Sequence, residues 1–161
     1  MELATVKIQP PEGAQLVLAQ SHFIKTVEDV YECMVNCVPG IRFGLAFSEA
    51  SGPCLVRCAG NDAELEKLAA DYAYSIGAGH GLVILMKNAF PINVLPRLKE
   101  VPELVNVFCA TANPVEVILA ETAQGRAILG VVDGLRPKGI EDKRDAEERK
   151  QFLRNIGYKM S

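Results

Sequence analysis

The chain has 161 residues, 49% hydrophobic and 23% charged, with a net charge of −3; this suits one domain spanning 1–161 with a real core and leaves little room for two. The acidic balance and the lack of a basic cluster argue against a nucleic-acid partner, and no apolar run approaches the ~18 residues of a membrane span. The opening Met1-Glu2-Leu3-Ala4-Thr5-Val6-Lys7 lacks a charged-then-apolar signal, so the cytoplasm is the expected location.

Leu3 to Gln9 alternates apolar and polar residues and reads as a strand. Pro10-Pro11-Glu12-Gly13 is a turn, and Gln15 to Gln20 a second strand, so an opening hairpin is expected. A helix follows, with Thr26 as N-cap and Glu28 and Asp29 in its first turn, where negative charge suits the helix dipole. Val27, Val30, Tyr31, Met34, Val35 and Val38 form its apolar stripe, and Pro39-Gly40 stops it. Arg42 to Phe47 and Cys54 to Ala59 read as a hairpin around the polar loop Ser48–Pro53. Asn61 with Glu64 resembles a capping box. It opens the clearest helix, whose core face carries Leu65, Leu68, Ala69, Tyr72, Ala73 and Ile76 and which Gly77 ends.

Leu82 to Met86 is wholly apolar and is expected to be a central strand. Phe90 to Lys99 reads as a short proline-led helix or an irregular lid. Val105–Ala110, Val115–Ala120 and Ala127–Val132 read as a three-stranded antiparallel meander. Glu141 to Lys150 is almost wholly charged and suits an exposed helix, with Asp145 and Arg149 attracting at i,i+4. Phe152, Leu153 and Ile156 are expected to dock its end. The fold class is therefore α+β: a mixed or largely antiparallel sheet, two core helices and a charged C-terminal helix.

Ser75-Ile76-Gly77-Ala78-Gly79-His80-Gly81 places three glycines around one of two histidines. Glycine permits positive φ and close backbone approach, and consecutive amides in such a turn can cradle an anion. Imidazole as a side chain can serve as nucleophile, base or proton carrier at neutral pH. The functional reading is a phosphate cradle around a reactive His80; the same residues also read as a helix C-cap, a turn and a strand start. Gly77-Ala78-Gly79-His80-Gly81 precedes a strand instead of opening a helix, and no Walker lysine loop is present, which argues against dinucleotide-binding and P-loop folds. His22 reads as a half-buried structural histidine. A phosphoryl-transfer site needs cations and often a carboxylate-held metal; Lys25, Arg136, Lys138 and Arg144 are candidate cations and Asp133 a candidate carboxylate. Glu49 and Ser51 suit a ribose diol, or simply an exposed hairpin tip. The five cysteines (Cys33, Cys37, Cys54, Cys58 and Cys109) are odd in number and not spaced as a zinc knuckle; they read as free, buried, small hydrophobes.

Four blocks carry a resemblance to a known family: His22-Phe23-Ile24-Lys25-Thr26-Val27-Glu28-Asp29, Phe43 through Arg57, Gly77-Ala78-Gly79-His80-Gly81, and Gly130-Val131-Val132-Asp133-Gly134 with Pro137-Lys138-Gly139. With the ending Phe152–Lys159, they make the chain similar to the adenosine-specific kinase family over nearly its whole length. The resemblance implies an adenosine or AMP ligand, a homotrimer, and a histidine that carries a phosphoryl group, matched here to His80. The first reading is thus phosphotransfer through His80 from a donor such as ATP, with magnesium. Lys25, Lys138 or Arg144 would balance charge, Gly77, Gly79 and Gly81 would hold phosphoryl oxygens, Asp133 would place a metal or hydroxyl, and Glu49 and Ser51 would hold the nucleoside. The alternatives are a non-catalytic adenine nucleoside or nucleotide sensor using the same pocket, and an interaction protein whose trimer is its purpose.

Overall fold

The computed structural model describes residues 1–160. In chain order the elements are β1 (Glu2–Ile8), β2 (Gln15–Ser21), α1 (Thr26–Cys37), β3 (Arg42–Ser48), β4 (Val56–Gly60), α2 (Ala63–Ile76), β5 (Gly81–Lys87), α3 (Pro91–Leu98), β6 (Leu104–Thr111), β7 (Val115–Glu121), β8 (Arg126–Asp133) and α4 (Lys143–Asn155). Five strands form one antiparallel sheet in the order β4-β3-β5-β2-β6, and three form a second in the order β1-β7-β8. The fold is α+β. The wholly apolar β5 is the central strand of the larger sheet, as its composition predicts.

Both faces of that sheet are covered, which explains its unbroken apolar strands. Alternation along β5 sends Leu82, Ile84 and Met86 to one face, where they meet Val30 and Met34 of α1 and Val94 and Leu98 of α3. Val83 and Leu85 point to the other face, toward Leu65, Ala69 and Ala73 of α2 and Val115, Val117 and Leu119 of β7. Helix α2 lies close on β3 because Gly44 has no side chain. A Cβ there would stand 2.1 Å from the Glu66 nitrogen.

Four expectations are corrected. Strands β1 and β2 do not form a hairpin: β1 pairs with β7, while β2 is flanked by β5 and β6. Two consecutive prolines carry no amide hydrogen for a hairpin ladder, and the chain changes layers there. For the same reason the last three strands are not one meander, since β6 joins the large sheet and β7 and β8 the small one. The cap of α2 is Asp62, which accepts from the Glu64 and Leu65 amides at 3.1 and 3.2 Å, while Asn61 ties the Phe43 amide to the Ile41 carbonyl. Thr26 is not an N-cap. It is the first residue of α1, with Lys25 before it, and its hydroxyl turns back to the Phe23 carbonyl at 2.7 Å.

The C-terminal segment also differs. Helix α4 buries no residue; Phe152 and Ile156 are exposed and do not dock on their own chain. Its pairs are Arg144–Glu148, Arg149–Glu141 and Lys150–Glu147, and Asp145 serves the capping box instead of pairing with Arg149. All five cysteines are free, but Cys54 and Cys58 are exposed. Burial pushes the Cys33 thiol up to about 12 and the Cys109 thiol up to about 11, so neither is poised as a thiolate.

Candidate functional site

The ends of β2 and β3 and the start of β5 converge at one end of the large sheet. His80 is pinned between them. Its amide donates to the Ser48 carbonyl at 2.8 Å and its carbonyl accepts from the Ser21 amide at 2.9 Å. The residue sits at φ 62°, in the left-handed region. Its ring stacks on Phe47, with centroids 5.7 Å apart and planes at 20°, and meets His22 edge-on at 6.0 Å. Among the described residues, neither imidazole makes a side-chain hydrogen bond. His80 is half-buried and His22 exposed.

The backbone here is strained. Among the described residues, four non-glycine residues have positive φ: Phe23 (77°), Cys54 (52°), His80 (62°) and Asn88 (59°). The first three lie in the loops that meet at this end. Such torsions persist only where the surroundings enforce them, and they gather at functional sites. The Phe23 turn is enforced by Thr26 Oγ1, by Ser21 Oγ at 2.7 Å from that hydroxyl, and by the His22 amide donating to the Glu103 carbonyl at 2.7 Å.

The glycines do less anion work than their spacing suggests. Gly77 caps α2 in the left-handed region, its amide donating to Ala73. The Gly81 amide donates to Ala78 and that of His80 to Ser48. Three of the five amides in 77–81 are therefore spent inside the chain, and the loop offers no long run of free donors. Gly79 is needed for packing, since a Cβ there would come 2.9 Å from that of Ala50.

Charge at this end comes from side chains. Lys25 pairs with Asp29 and, at 3.0 Å, with Glu103; the hydrogen bonds it donates to Asp29 and Glu103 hold its pKa up. Glu103 is buried, and its Oε2 has no partner among the described residues. Glu49 accepts from the Leu55 amide at 2.9 Å and pairs with Arg57 Nη2 at 3.1 Å. The Leu55 amide, with help from Arg57, holds the Glu49 carboxyl below its ordinary value. Glu49 thus closes the 48–56 loop, while Ser51 is exposed in it.

Two arginines missed by sequence reasoning stand at the same end. Arg57 is the register partner of Phe47, on which His80 stacks, and its Nε is buried without a partner among the described residues. Arg126 approaches Gly77, with Cδ 3.6 Å from where a Cβ would lie, and donates to the Ser75 carbonyl at 3.1 Å. Single arginines on strands look like solvated charge in a sequence; the cross-strand register alone brings them to the loop. The 48–56 loop divides two clefts. One, of about 660 Å³, lies between Gly79, Tyr74, Glu49 and Arg126. The other, of about 730 Å³, is lined by Phe23, Ile24, Val27, Val56 and Arg57. Both have the size of small-ligand sites.

Asp133 is not brought to His80 within the chain. Strand β8 starts beside the glycine loop, where Arg126 bridges Ala78, and ends at Asp133; seven residue steps of strand span roughly 23 Å. Asp133 there accepts from Asn113 Nδ2 at 3.0 Å. Lys138 is exposed, and Arg144 pairs with Glu148 at 2.9 Å. No group of three or more histidine, cysteine, aspartate or glutamate side chains suited to a metal exists among the described residues. No helix there is long and apolar enough to cross a membrane.

Comparison with known proteins places this geometry. A crystal structure of the PH1918 protein from Pyrococcus horikoshii OT3 is 46% identical, with 99% of each chain covered and a TM-score of 0.96. No curated protein matches. The family model described as adenosine specific kinase matches residues 6–159, and the chain therefore belongs to the adenosine specific kinase family.

Proposed function

We propose that the chain is an adenosine- or AMP-directed phosphotransferase that carries a phosphoryl group on His80, acting in the cytoplasm as a homotrimer. The observation that supports this most is the His80 ring itself. Backbone bonds on both sides and Phe47 beneath it hold it in place, and its nitrogens have no partner among the described residues. A neutral imidazole nitrogen attacks the terminal phosphorus of a donor such as ATP. The N–P bond forms, the P–O bond to the leaving diphosphate breaks, and the proton on the other ring nitrogen is released. In the second step the hydroxyl of adenosine, or a phosphate oxygen of AMP, attacks that phosphorus. The N–P bond breaks and the imidazole recovers a proton.

Arg57 beside Phe47, Arg126 beside Gly77 and Lys25 beside Glu103 are the candidate cations at this end, and Lys138 and Arg144 are further candidates. Magnesium arriving with a nucleotide needs only one or two protein carboxylates besides the phosphates, with Asp133 the candidate from sequence. Glu49, Ser51, Gly77, Gly79 and Gly81 border the nucleoside in this reading.

The test is intact mass and peptide mapping after incubation with ATP and magnesium, worked up without acid. An added phosphoryl group on His80, discharged by adenosine or AMP with phosphorylated product, is expected. His80→Ala should abolish transfer and keep most nucleoside binding. An unmodified His80 in protein that still binds adenosine would make the chain a sensor instead.

A further inference from the structure

The end of the molecule that holds His80 is short of positive charge for a phosphoryl site. Lys25, Arg57 and Arg126 face five carboxylates there: Glu28, Asp29, Glu49, Glu103 and Glu121. All three cations are already engaged by those carboxylates, and one Glu103 oxygen is buried without a partner among the described residues. A phosphoryl group on His80 would add about two further negative charges to this setting. The same end exposes apolar surface: Phe23 and Ile24 are more than two-fifths accessible and border the 730 Å³ cleft, and the exposed Leu55 lies in the loop beside it.

The opposite end of the molecule carries the complement. After Asp133 an arm of irregular chain runs to Asp142, followed by α4. Leu135 and Ile140 are 89% and 98% exposed. Between them lie Arg136 and Lys138, with no carboxylate from Gly134 to Ile140. Arg136, Lys138 and Lys143 have no ion-pair partner among the described residues. Helix α4 has 13 residues and buries none of them. A helix of that length is marginal in water unless something packs against it.

We propose that the arm and α4 dock on the His80 end of a second copy of this chain, so that each phosphoryl site is completed by Arg136 and Lys138 of a neighbouring copy. Leu135 and Ile140 fill the apolar cleft beside Phe23 and Ile24. The two cations then face the surplus carboxylates and the phosphoryl position. The contact joins unlike surfaces, head to tail, and such a contact closes into a ring when the rotation allows. This inference rests on the phosphotransfer reading for its chemistry but not for its geometry.

The test uses the full chain in light and uniformly heavy-isotope forms, mixed equally by joint refolding and treated with a zero-length carbodiimide cross-linker. Lys138–Glu28 cross-links are expected, with about half joining a light to a heavy chain, as random assembly of a ring requires. Leu135→Asp with Ile140→Asp, which removes nothing buried in its own chain, should abolish them and lower the sedimentation coefficient to that of one chain. Cross-links confined to single-isotope pairs would mean that the arm folds back on its own chain and would overturn the proposal, as would an unchanged sedimentation coefficient in the double variant. Phosphorylation of His80 is read separately. Mixed-isotope cross-links with an unmodified His80 would leave the subunit arrangement standing and remove the phosphotransfer reading; a modified His80 with single-isotope cross-links would do the reverse.

Discussion

Helices α2 and α4 are nearly equal in length, 14 and 13 residues, and both begin at an aspartate that accepts two amides of the first turn. Yet α2 buries Leu65, Ala69, Ala73 and Ile76, while α4 buries nothing. The same local device therefore starts two helices with opposite tertiary fates. Capping decides where a helix begins, and the apolar stripe decides whether the rest of the chain holds it. The α2 stripe meets a sheet face that Gly44 lets it approach; the Phe152 and Ile156 side of α4 has no counterpart on its own chain.

The largest test of this contrast compares the two stripes. Leu65→Ala should lose about 2–5 kcal/mol, because α2 and β3 cannot collapse around the cavity. Phe152→Ala should change the unfolding of a dilute sample by less than about 0.5 kcal/mol. Equal losses in urea titrations of the two variants would break the comparison. A Phe152→Ala deficit that grows with protein concentration would sharpen it, since only association would then make that side chain count.

The caps come next. Asp62 is buried and also takes Arg42 Nε at 3.0 Å, so Asp62→Ala should cost about 1–2 kcal/mol. Asp142→Ala should reduce only the helicity of α4, read by amide exchange. The pH dependence separates the two further. Burial disfavours charge on Asp62, but the Leu65 amide, Arg42 and the Glu64 amide outweigh it and hold the carboxyl below its ordinary value. A lowered folded pKa means stabilisation that is complete above the unfolded value of about 3.9 and lost as pH falls through the folded one. The stability gap between the parent chain and Asp62→Asn, wide at pH 7, should therefore narrow toward pH 2. A gap that widens in acid would reverse the assignment.

The smallest effect is that of salt. Near 1 M ionic strength the Debye length falls to about 3 Å, and the exposed pairs along α4 are screened. Amide exchange in α4 should quicken while that of α2 stays unchanged.

Much of the fold was legible because it is written locally. The i,i+3 and i,i+4 stripe of α2, the glycine that caps it and the apolar run of β5 each declare themselves within a dozen residues. The partner of β1 does not, since β7 lies more than a hundred residues away and no turn between β1 and β2 encodes it. Asn61 and Asp62 are adjacent and both are good capping residues, so only the backbone separates them. At the candidate site, the glycine loop and His80 stand out in the sequence. Arg57 and Arg126 do not, because their relation to the loop depends on which strands pair.

One feature of the site bears on how far the protein can be stabilised. Phe23, Cys54 and His80 each hold a torsion that glycine would adopt freely, at a cost of about 1–3 kcal/mol apiece. Glycine at those three positions would make a more durable scaffold and would strip the His80 end of its ring, its imidazole and its thiol together. Durability and chemistry are set against each other at the same three bonds, so a search for hardier variants that spares nothing else should be barred from 23, 54 and 80.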